Sequence, residues 1–326
     1  MARGAGRPPL IGRRAARQAE GEPSRAEPKE DIMTINAGAP VVVGVDGSAA
    51  ALDAVRVAVR EAEYRQRPLR VVHAFIWPLT GAPLTPVPGA PVTAGLRNQA
   101  EQYVTEAVEQ ARKIAPDLRI TGVVVDGAPT PVLVEEARGA VLTVLGHRGL
   151  GGFAGLLLGS VTVQVAARAQ SPVMVVRGEA RADGPVVVGV DGSELSTKAV
   201  AFAFEEADRR DASLVAVHAW LFPTPVGPGD ILPLVYDLDA AEGEEERTLA
   251  ESIAGFADRY PQVPVRHRVV RGSPGRVLVE ASKGAQLVVV GAHGRGAFGG
   301  LLLGSVSHAV LHHGHSPLVI VRHGDG

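Results

Sequence analysis

The stretch GHRGLGGFAGLLLGS at residues 146–160 returns as GAHGRGAFGGLLLGS at residues 291–305. Three further segments recur at the same separation of 145 residues: VVVGVDGS (41–48 and 186–193), VHA (72–74 and 217–219), and SPVMVVR with SPLVIVR (171–177 and 316–322). A single offset shared by four segments indicates duplication of a whole domain, since solenoid repeats have periods of roughly 20–50 residues. The sequence therefore predicts two tandem domains, at residues 39–178 and 184–323, joined by a short polar linker at 179–183.

Each half alternates short Val-rich runs with amphipathic stretches. In the first half VVVGV is followed by AALDAVRVAVREAEYR, whose apolar residues fall at helical spacing after Ser48, a good N-cap residue. Continuous apolar strands that alternate with helices indicate a parallel sheet covered on both faces. Five such strands per half predict a doubly wound α/β fold, which binds ligands at the carboxyl ends of its strands, where the strand order reverses.

The glycine stretches share the spacing G-x2-G-x9-G-S, and each begins where a predicted strand ends. The first two glycines lack a Cβ, so backbone N–H groups there can approach a phosphate closely. The last glycine is followed by a serine that opens a helix, and we expect Ser160 and Ser305 to cap helices whose N-termini attract anions. The spacing, present twice, favours phosphate binding over the alternative of a flexible surface loop before a capped helix.

Asp46 and Asp191 stand at the carboxyl end of the first strand of each half. A carboxylate at this position can accept hydrogen bonds from ribose hydroxyls or from an adenine amine. It can equally form an Asx turn that starts the following helix. The residues alone leave these two interpretations open.

Taken together, VGVDGS, VHA, the glycine stretch and the terminal SPV-x-VV-R strand resemble the universal stress protein family over both halves. The resemblance implies a five-stranded parallel sheet in the order 3-2-1-4-5 and, for members with this glycine spacing, ATP as the ligand. It implies nucleoside contacts from Asp46 and Asp191, adenine contacts from the backbone of Ala74 and Ala219, and ribose and phosphate contacts from Gly146, Gly149, Gly159, Ser160 and Val161 and from Gly291, Gly294, Gly304, Ser305 and Val306. The basic groups beside the glycines are Arg148, His293 and Arg295.

Family members pair through their last strand. In a tandem chain the resemblance therefore implies that VMVVR and LVIVR meet antiparallel, which makes an intramolecular pseudo-dimer and leaves a homodimer of whole chains as a further option. The family often has His-Gly-Arg within the glycine stretch. His293, Gly294 and Arg295 follow that pattern, whereas in the first half the basic residues His147 and Arg148 are shifted by one residue. We expect two nucleotide sites of unequal affinity.

Composition excludes several classes of function. The chain has 326 residues, is 46% hydrophobic and 21% charged, and carries a net charge of −2, which gives no electrostatic case for binding nucleic acid or anionic membranes. It has no cysteine, which excludes disulfides and thiol chemistry. No apolar run approaches the roughly 20 residues of a membrane span, and we expect a cytoplasmic protein. Residues 1–38 are rich in Arg, Pro, Gly and Glu and are predicted to be a disordered tail, with Met33 as an alternative start.

No G-x4-G-K-[ST] motif is present, so the sequence offers no Walker lysine. It also offers no second carboxylate near the phosphate end. This pattern favours an ATP-binding sensor or regulator of the stress response. Magnesium is an optional ligand together with the nucleotide, and ATP hydrolysis is expected to be slow at most. The alternatives are an ATP-dependent enzyme on the same fold and a protein-interaction scaffold with vestigial sites.

Two further features stay open. His308 and His312 lie one helical turn apart, but without acidic or cysteine partners nearby the sequence favours solvated or interface histidines over a metal site. The Pro-rich segments 78–91 and 223–233 follow the second strand of each half, where they could cover a nucleotide or simply connect two elements.

Overall fold

The computed structural model describes residues 38–77, 92–150, 158–178, 183–221, 238–295 and 303–322, without the side chains of residues 92–94 and 238. All of them belong to one compact unit. The Pro-rich segments 78–91 and 223–233 and, except for Gly38, the predicted tail lie outside the described residues.

Each half repeats the same order of strands and helices. The first half contains β1 Val41–Gly44, α1 Ala49–Arg65, β2 Leu69–Phe75, α2 Val92–Ile114, β3 Ile120–Asp126, α3 Pro129–Arg138, β4 Leu142–Gly146, α4 Ser160–Arg168 and β5 Val173–Val176. The second half contains β6 Val186–Val190, α5 Glu194–Arg209, β7 Leu214–Trp220, α6 Leu238–Arg259, β8 Val265–Arg271, α7 Pro274–Ala281, β9 Leu287–Gly291, α8 Ser305–His313 and β10 Leu318–Val321. The predicted alternation of strands and helices is confirmed.

All ten strands form one sheet in the order β3-β2-β1-β4-β5-β10-β9-β6-β7-β8. Within each half the strands are parallel and follow the predicted order 3-2-1-4-5. The halves meet where β5 and β10 pair antiparallel, with Val175 opposite Leu318, as expected for the two terminal strands. We call this junction, together with the helices packed along it, the seam.

Helices cover both faces of the sheet, which explains why its central strands are apolar and buried. One buried cluster contains the inner residues of α1, α2, α5 and α6, and it runs across both halves without a break. The other contains residues of α3, α4, α7 and α8 on the opposite face. Because valine and alanine dominate both clusters, helix and sheet backbones approach closely.

A buried charge cluster joins α1 to α5 across the seam. Arg65 pairs with Glu61 on its own helix and with Glu206 on the other, and Arg210 repeats this arrangement from the opposite side. Burial, reinforced by the charge of Glu206, raises the pKa of Glu61. Burial acts in the same direction on Glu206, but Arg65, Arg210 and Arg209 outweigh it and lower the pKa of that carboxyl. The pairs tie the two halves together inside the core.

Candidate functional site

A cavity of about 450 Å³ opens at the carboxyl ends of β6 and β9, the point where the strand order of the second half reverses. Its lining includes all nine residues that the sequence singled out in this half: Asp191, Ala219, Gly291, His293, Gly294, Arg295, Gly304, Ser305 and Val306. The fold thus brings segments together that lie more than a hundred residues apart in the chain.

Asp191 connects the end of β6 to the glycine stretch that follows β9. Its Oδ1 accepts a hydrogen bond from the backbone N–H of Ser193 at 3.0 Å, which is the Asx turn considered above. Its Oδ2 accepts from the backbone N–H of Arg295, also at 3.0 Å. A Cβ at Gly294 would overlap Oδ2 and lie 3.4 Å from Asp191 Cγ. The second glycine of the motif is therefore required for this carboxylate to hold the stretch in place.

The first half repeats the arrangement. Asp46 accepts from Ser48 N–H at 3.0 Å through Oδ1 and from Leu150 N–H at 2.7 Å through Oδ2. A Cβ at Gly149 would overlap Oδ2 and lie 3.3 Å from Asp46 Cγ. In both halves the aspartate makes the turn and also anchors the glycine stretch.

The first glycine of each stretch lies against the helix that follows the first strand. A Cβ at Gly146 would lie 2.6 Å from the carbonyl oxygen of Ala50, in the first turn of α1. Gly291 is less restricted, with the nearest atoms 3.2 Å from a Cβ. The absence of a side chain lets these two elements approach, which is a packing role that the motif had not indicated.

The predicted serine caps are wrong. Gly159 and Gly304 occupy the N-cap positions with extended backbone, and Ser160 and Ser305 are the first residues of α4 and α8. Neither cap makes a side-chain hydrogen bond, so the N-terminal N–H groups of both helices lack that partner.

Another hydroxyl in the first turn holds each turn in place instead. Thr162 Oγ1 donates to the carbonyl oxygen of Gly146 at 2.9 Å, and Ser307 Oγ donates to that of Ala292 at 2.8 Å. Their side chains turn back onto the strand end and leave the helix N-termini open to a ligand. Residues 151–157 and 296–302 of the glycine stretches lie outside the described residues.

The VHA segments position the third wall of each site. His73 Nδ1 lies 2.8 Å from the carbonyl oxygen of Val45, and His218 Nδ1 lies 2.7 Å from that of Val190. Each imidazole thereby ties the second strand of its half to the end of the first. Ala74 and Ala219 follow directly at the strand ends, and Ala219 lines the cavity.

The two sites differ in what covers the glycine after the aspartate. The ring of Tyr103 on α2 packs against Gly47 and meets His73 edge-on at 5.7 Å between centroids. In the second half the guanidinium of Arg295 packs against Gly192 instead. The residue at the position of Arg295 in the first half is Leu150, which is exposed.

The remaining first-half candidates gather around the carboxyl ends of β1 and β4. Ser48 Oγ donates to the carbonyl oxygen of Arg148 at 3.5 Å, and Gly159 N–H donates to that of His147 at 2.8 Å. Val161 packs, partly buried, on the helix-covered face. The structure thus brings the first-half glycine stretch beside Asp46, with Arg148 at its rim.

Several lining residues escaped sequence reasoning. Ser196 and Ser307 present hydroxyls at the cavity, and Pro274 and Leu278 of α7 supply an apolar wall. Ser196 Oγ accepts from the N–H of Asp191 at 3.1 Å, and its first-half counterpart is Ala51. The sequence could have identified both serines, since each lies in the first helical turn after a recurring motif.

No cluster of three or more metal-ligating side chains occurs in the described part of the chain. None of the helices described there has the length and apolar character needed to cross a membrane.

Comparison with known proteins agrees with this geometry. A profile of the universal stress protein family matches residues 39–177 and again residues 184–322. The chain belongs to the universal stress protein family. Universal stress protein Rv2005c of Mycobacterium tuberculosis (strain ATCC 25618 / H37Rv) is 41% identical over 293 residues, which cover 86% of this chain and 96% of that protein. Universal stress protein Rv2623 of the same strain is 38% identical over 296 residues, which cover 88% and 97%.

Solved structures of universal stress proteins share the fold. The crystal structure of a universal stress protein from Archaeoglobus fulgidus DSM 4304 superposes with a TM-score of 0.65 and 17% identity, and the match covers 89% of this chain and all of that one. The tandem arrangement of two α/β halves is thus shared with a protein of very different sequence.

Proposed function

We propose that this universal stress protein binds ATP at the carboxyl ends of its strands, one nucleotide in each half, and acts as a nucleotide-dependent regulator of the stress response. The observation that carries the proposal is the second-half cavity, whose lining contains every candidate residue of that half. Its volume of about 450 Å³ falls within the range of roughly 300–1,000 Å³ that is typical of small-molecule sites.

The lining is suited to a nucleotide from one end to the other. At the phosphate end, the backbone of Gly294 and the N-terminus of α8 supply N–H donors and positive dipole, and His293 and Arg295 add basic side chains. At the nucleoside end, Ala219 offers backbone groups beside the apolar wall of α7. Asp191 already accepts two backbone hydrogen bonds, but each carboxylate oxygen can accept a second, which leaves capacity for a ribose hydroxyl.

A regulatory role fits the lining better than rapid catalysis. Asp191 is the one carboxylate among the described residues that line the cavity, and backbone N–H groups of the Asx turn and of the glycine stretch each hold one of its oxygens. Rapid phosphoryl transfer needs a metal ion and a positioned nucleophile, and a carboxylate fixed in a turn is poorly placed to orient either. Turnover of added ATP at about 1 per second or faster would contradict this assignment.

The test is to count the nucleotides that the purified protein holds. Protein is denatured, the released small molecules are identified and quantified by mass, and uptake of added ATP is measured with cyclic AMP and ADP as competitors. We expect up to two ATP per chain, and the weakening of one site in each of the variants Gly149→Ala and Gly294→Ala, whose new Cβ would overlap the anchoring aspartate. The matched control is Gly255→Ala on α6, where an added Cβ meets no atom within 4 Å. No released nucleotide and no uptake would instead favour an interaction scaffold.

A further inference from the structure

Three histidines lie near the seam, where Arg177 at the end of β5 contacts the last turn of α8. His147 follows β4, and the rings of His308 and His312 on α8 are 4.3 Å apart between centroids. The duplication supplies an internal control, because each histidine has a counterpart 145 residues away in the other half. Those counterparts are Ala292, Val163 and Ala167. The fold therefore forms without imidazoles at the same places on the other side of the seam.

Arg177 joins the end of β5 to helix α8. It directly follows β5, and its Nη1 donates to the carbonyl oxygen of Leu311 in the last turn of α8. The ring of His147 lies beside the preceding residue, with Nδ1 3.2 Å from the carbonyl oxygen of Val176. The buried Nε of Arg177 has no hydrogen-bond partner among the described residues. The segment Val176–Arg177 thus contacts the ring of His147 from one half and the last turn of α8 from the other, and the guanidinium keeps a spare donor.

The environment of His312 is cationic. Burial lowers the pKa of this imidazole, and His308, His313 and Arg177 act in the same direction. Arg177 is itself partly buried, which lowers the pKa of its guanidinium.

His147 experiences a similar environment. Burial lowers the pKa of this imidazole, the carbonyl of Val176 opposes that shift, and Arg148 and Arg177 lower the pKa further. Asp53 on α1 is the carboxylate that opposes them, and its side chain is more than half exposed. Asp53 is thus the one carboxylate among the described groups named as acting on these two imidazoles, and it is largely solvated.

We propose that Arg177, His147, His308 and His312 form a binding site for a small tetrahedral oxyanion of the phosphate or sulfate type. Guanidinium and imidazolium N–H groups are strong donors to such oxygens. A bound dianion would also remove the repulsion among these groups, so anion binding and proton uptake by the imidazoles are coupled. None of these side chains lines the second-half cavity, but His147 belongs to the first-half glycine stretch, so the test must separate this site from the proposed first-half nucleotide site.

The test is a sulfate titration of the full-length protein, followed through the imidazole resonances by NMR. Sulfate is the probe because it stays a dianion from about pH 8 to about pH 5.5, so any pH dependence belongs to the protein. We expect saturable shifts at His147, His308 and His312, and an affinity at least about tenfold higher at the lower pH. Inorganic phosphate should compete with sulfate.

A triple variant places the counterpart residues of the other half at the three positions: His147→Ala, His308→Val and His312→Ala. We expect sulfate affinity to fall at least about tenfold, while His267→Ala on the exposed strand β8 leaves it unchanged. Thermal unfolding verifies that each variant is folded. Should the triple variant fail to fold, His308→Val alone replaces an exposed side chain and must weaken sulfate binding measurably.

Three results would overturn the proposal. Unsaturable shifts, or equal affinity in the wild type and the triple variant, would mean that no site exists. Shifts caused by ATP but not by sulfate would assign His147 to the nucleotide. Displacement of sulfate by equimolar Zn²⁺, with His308 and His312 shifting together, would make the pair on α8 a metal site.

Discussion

Replacing Gly294 by alanine changes the contact through which Asp191 holds the glycine stretch. The new Cβ would overlap Asp191 Oδ2, so the carboxylate must turn away and lose its hydrogen bond from Arg295 N–H at 3.0 Å. A hydrogen bond to a charged group contributes about 1.5–3 kcal/mol. If nucleotide binding requires the anchored conformation, affinity at this site should fall about 10- to 100-fold.

The assay is equilibrium titration of nucleotide-free protein with ATP by calorimetry, which reports stoichiometry as well as affinity. Gly294→Ala should weaken one class of sites and Gly149→Ala the other, since a Cβ at Gly149 meets Asp46 in the same way. The control Gly255→Ala should leave both classes unchanged. Wild-type affinity in Gly294→Ala, with a folded protein, would refute the reasoning, because the anchoring of the stretch would then be irrelevant to the ligand.

Three further predictions concern stability. Glu206→Gln should lower the free energy of unfolding by about 3–5 kcal/mol in urea titrations, because it leaves the buried Arg65 and Arg210 to share Glu61 as their one remaining carboxylate among the described residues. The folded-state pKa values of His147 and His312 lie below the ordinary 6.5, so the unfolded chain binds more protons and stability should fall as pH drops below about 6.5. Replacing both histidines by alanine should flatten that part of the stability–pH curve, and an unchanged slope would contradict the shifts. Gly47→Ala, at φ +86 and against an aromatic ring, should cost about 1–3 kcal/mol, whereas Gly95→Ala, with nothing within 4 Å, should not destabilise the protein.

The sequence predicts the fold well because the central strands are continuous apolar runs and the helices between them carry apolar residues at helical spacing. Ser48 illustrates how local such information is: it caps α1 as predicted, with its Oγ accepting from Ala51 N–H at 3.2 Å. Ser160 shows the limit. It has the residue type of a cap, but Gly159 before it already has the extended backbone of that position, and the sequence does not reveal which of the two residues begins the helix.

Long-range contacts could not be predicted from local pattern. Glu61 and Arg210 are 149 residues apart, and only the packing of α1 against α5 shows that they pair. Each looks like an ordinary charged residue near the end of a surface helix. The duplication indicates that Glu61 and Glu206 occupy equivalent positions. It does not indicate that both are buried, because their burial results from the packing of the two halves at the seam.

Duplication also explains why two sites with the same frame need not behave alike. In both halves an aspartate anchors the glycine stretch, and this frame depends on glycines that neither copy can replace without overlap. The side chains around the frame are free to diverge: Tyr103 covers Gly47, whereas Arg295 covers Gly192. An aromatic ring offers a stacking surface and no charge, while a guanidinium offers donors to phosphate. Because one continuous core joins the halves, this divergence gives a single compact unit two candidate sites of different chemistry, which a symmetric dimer of identical chains cannot have.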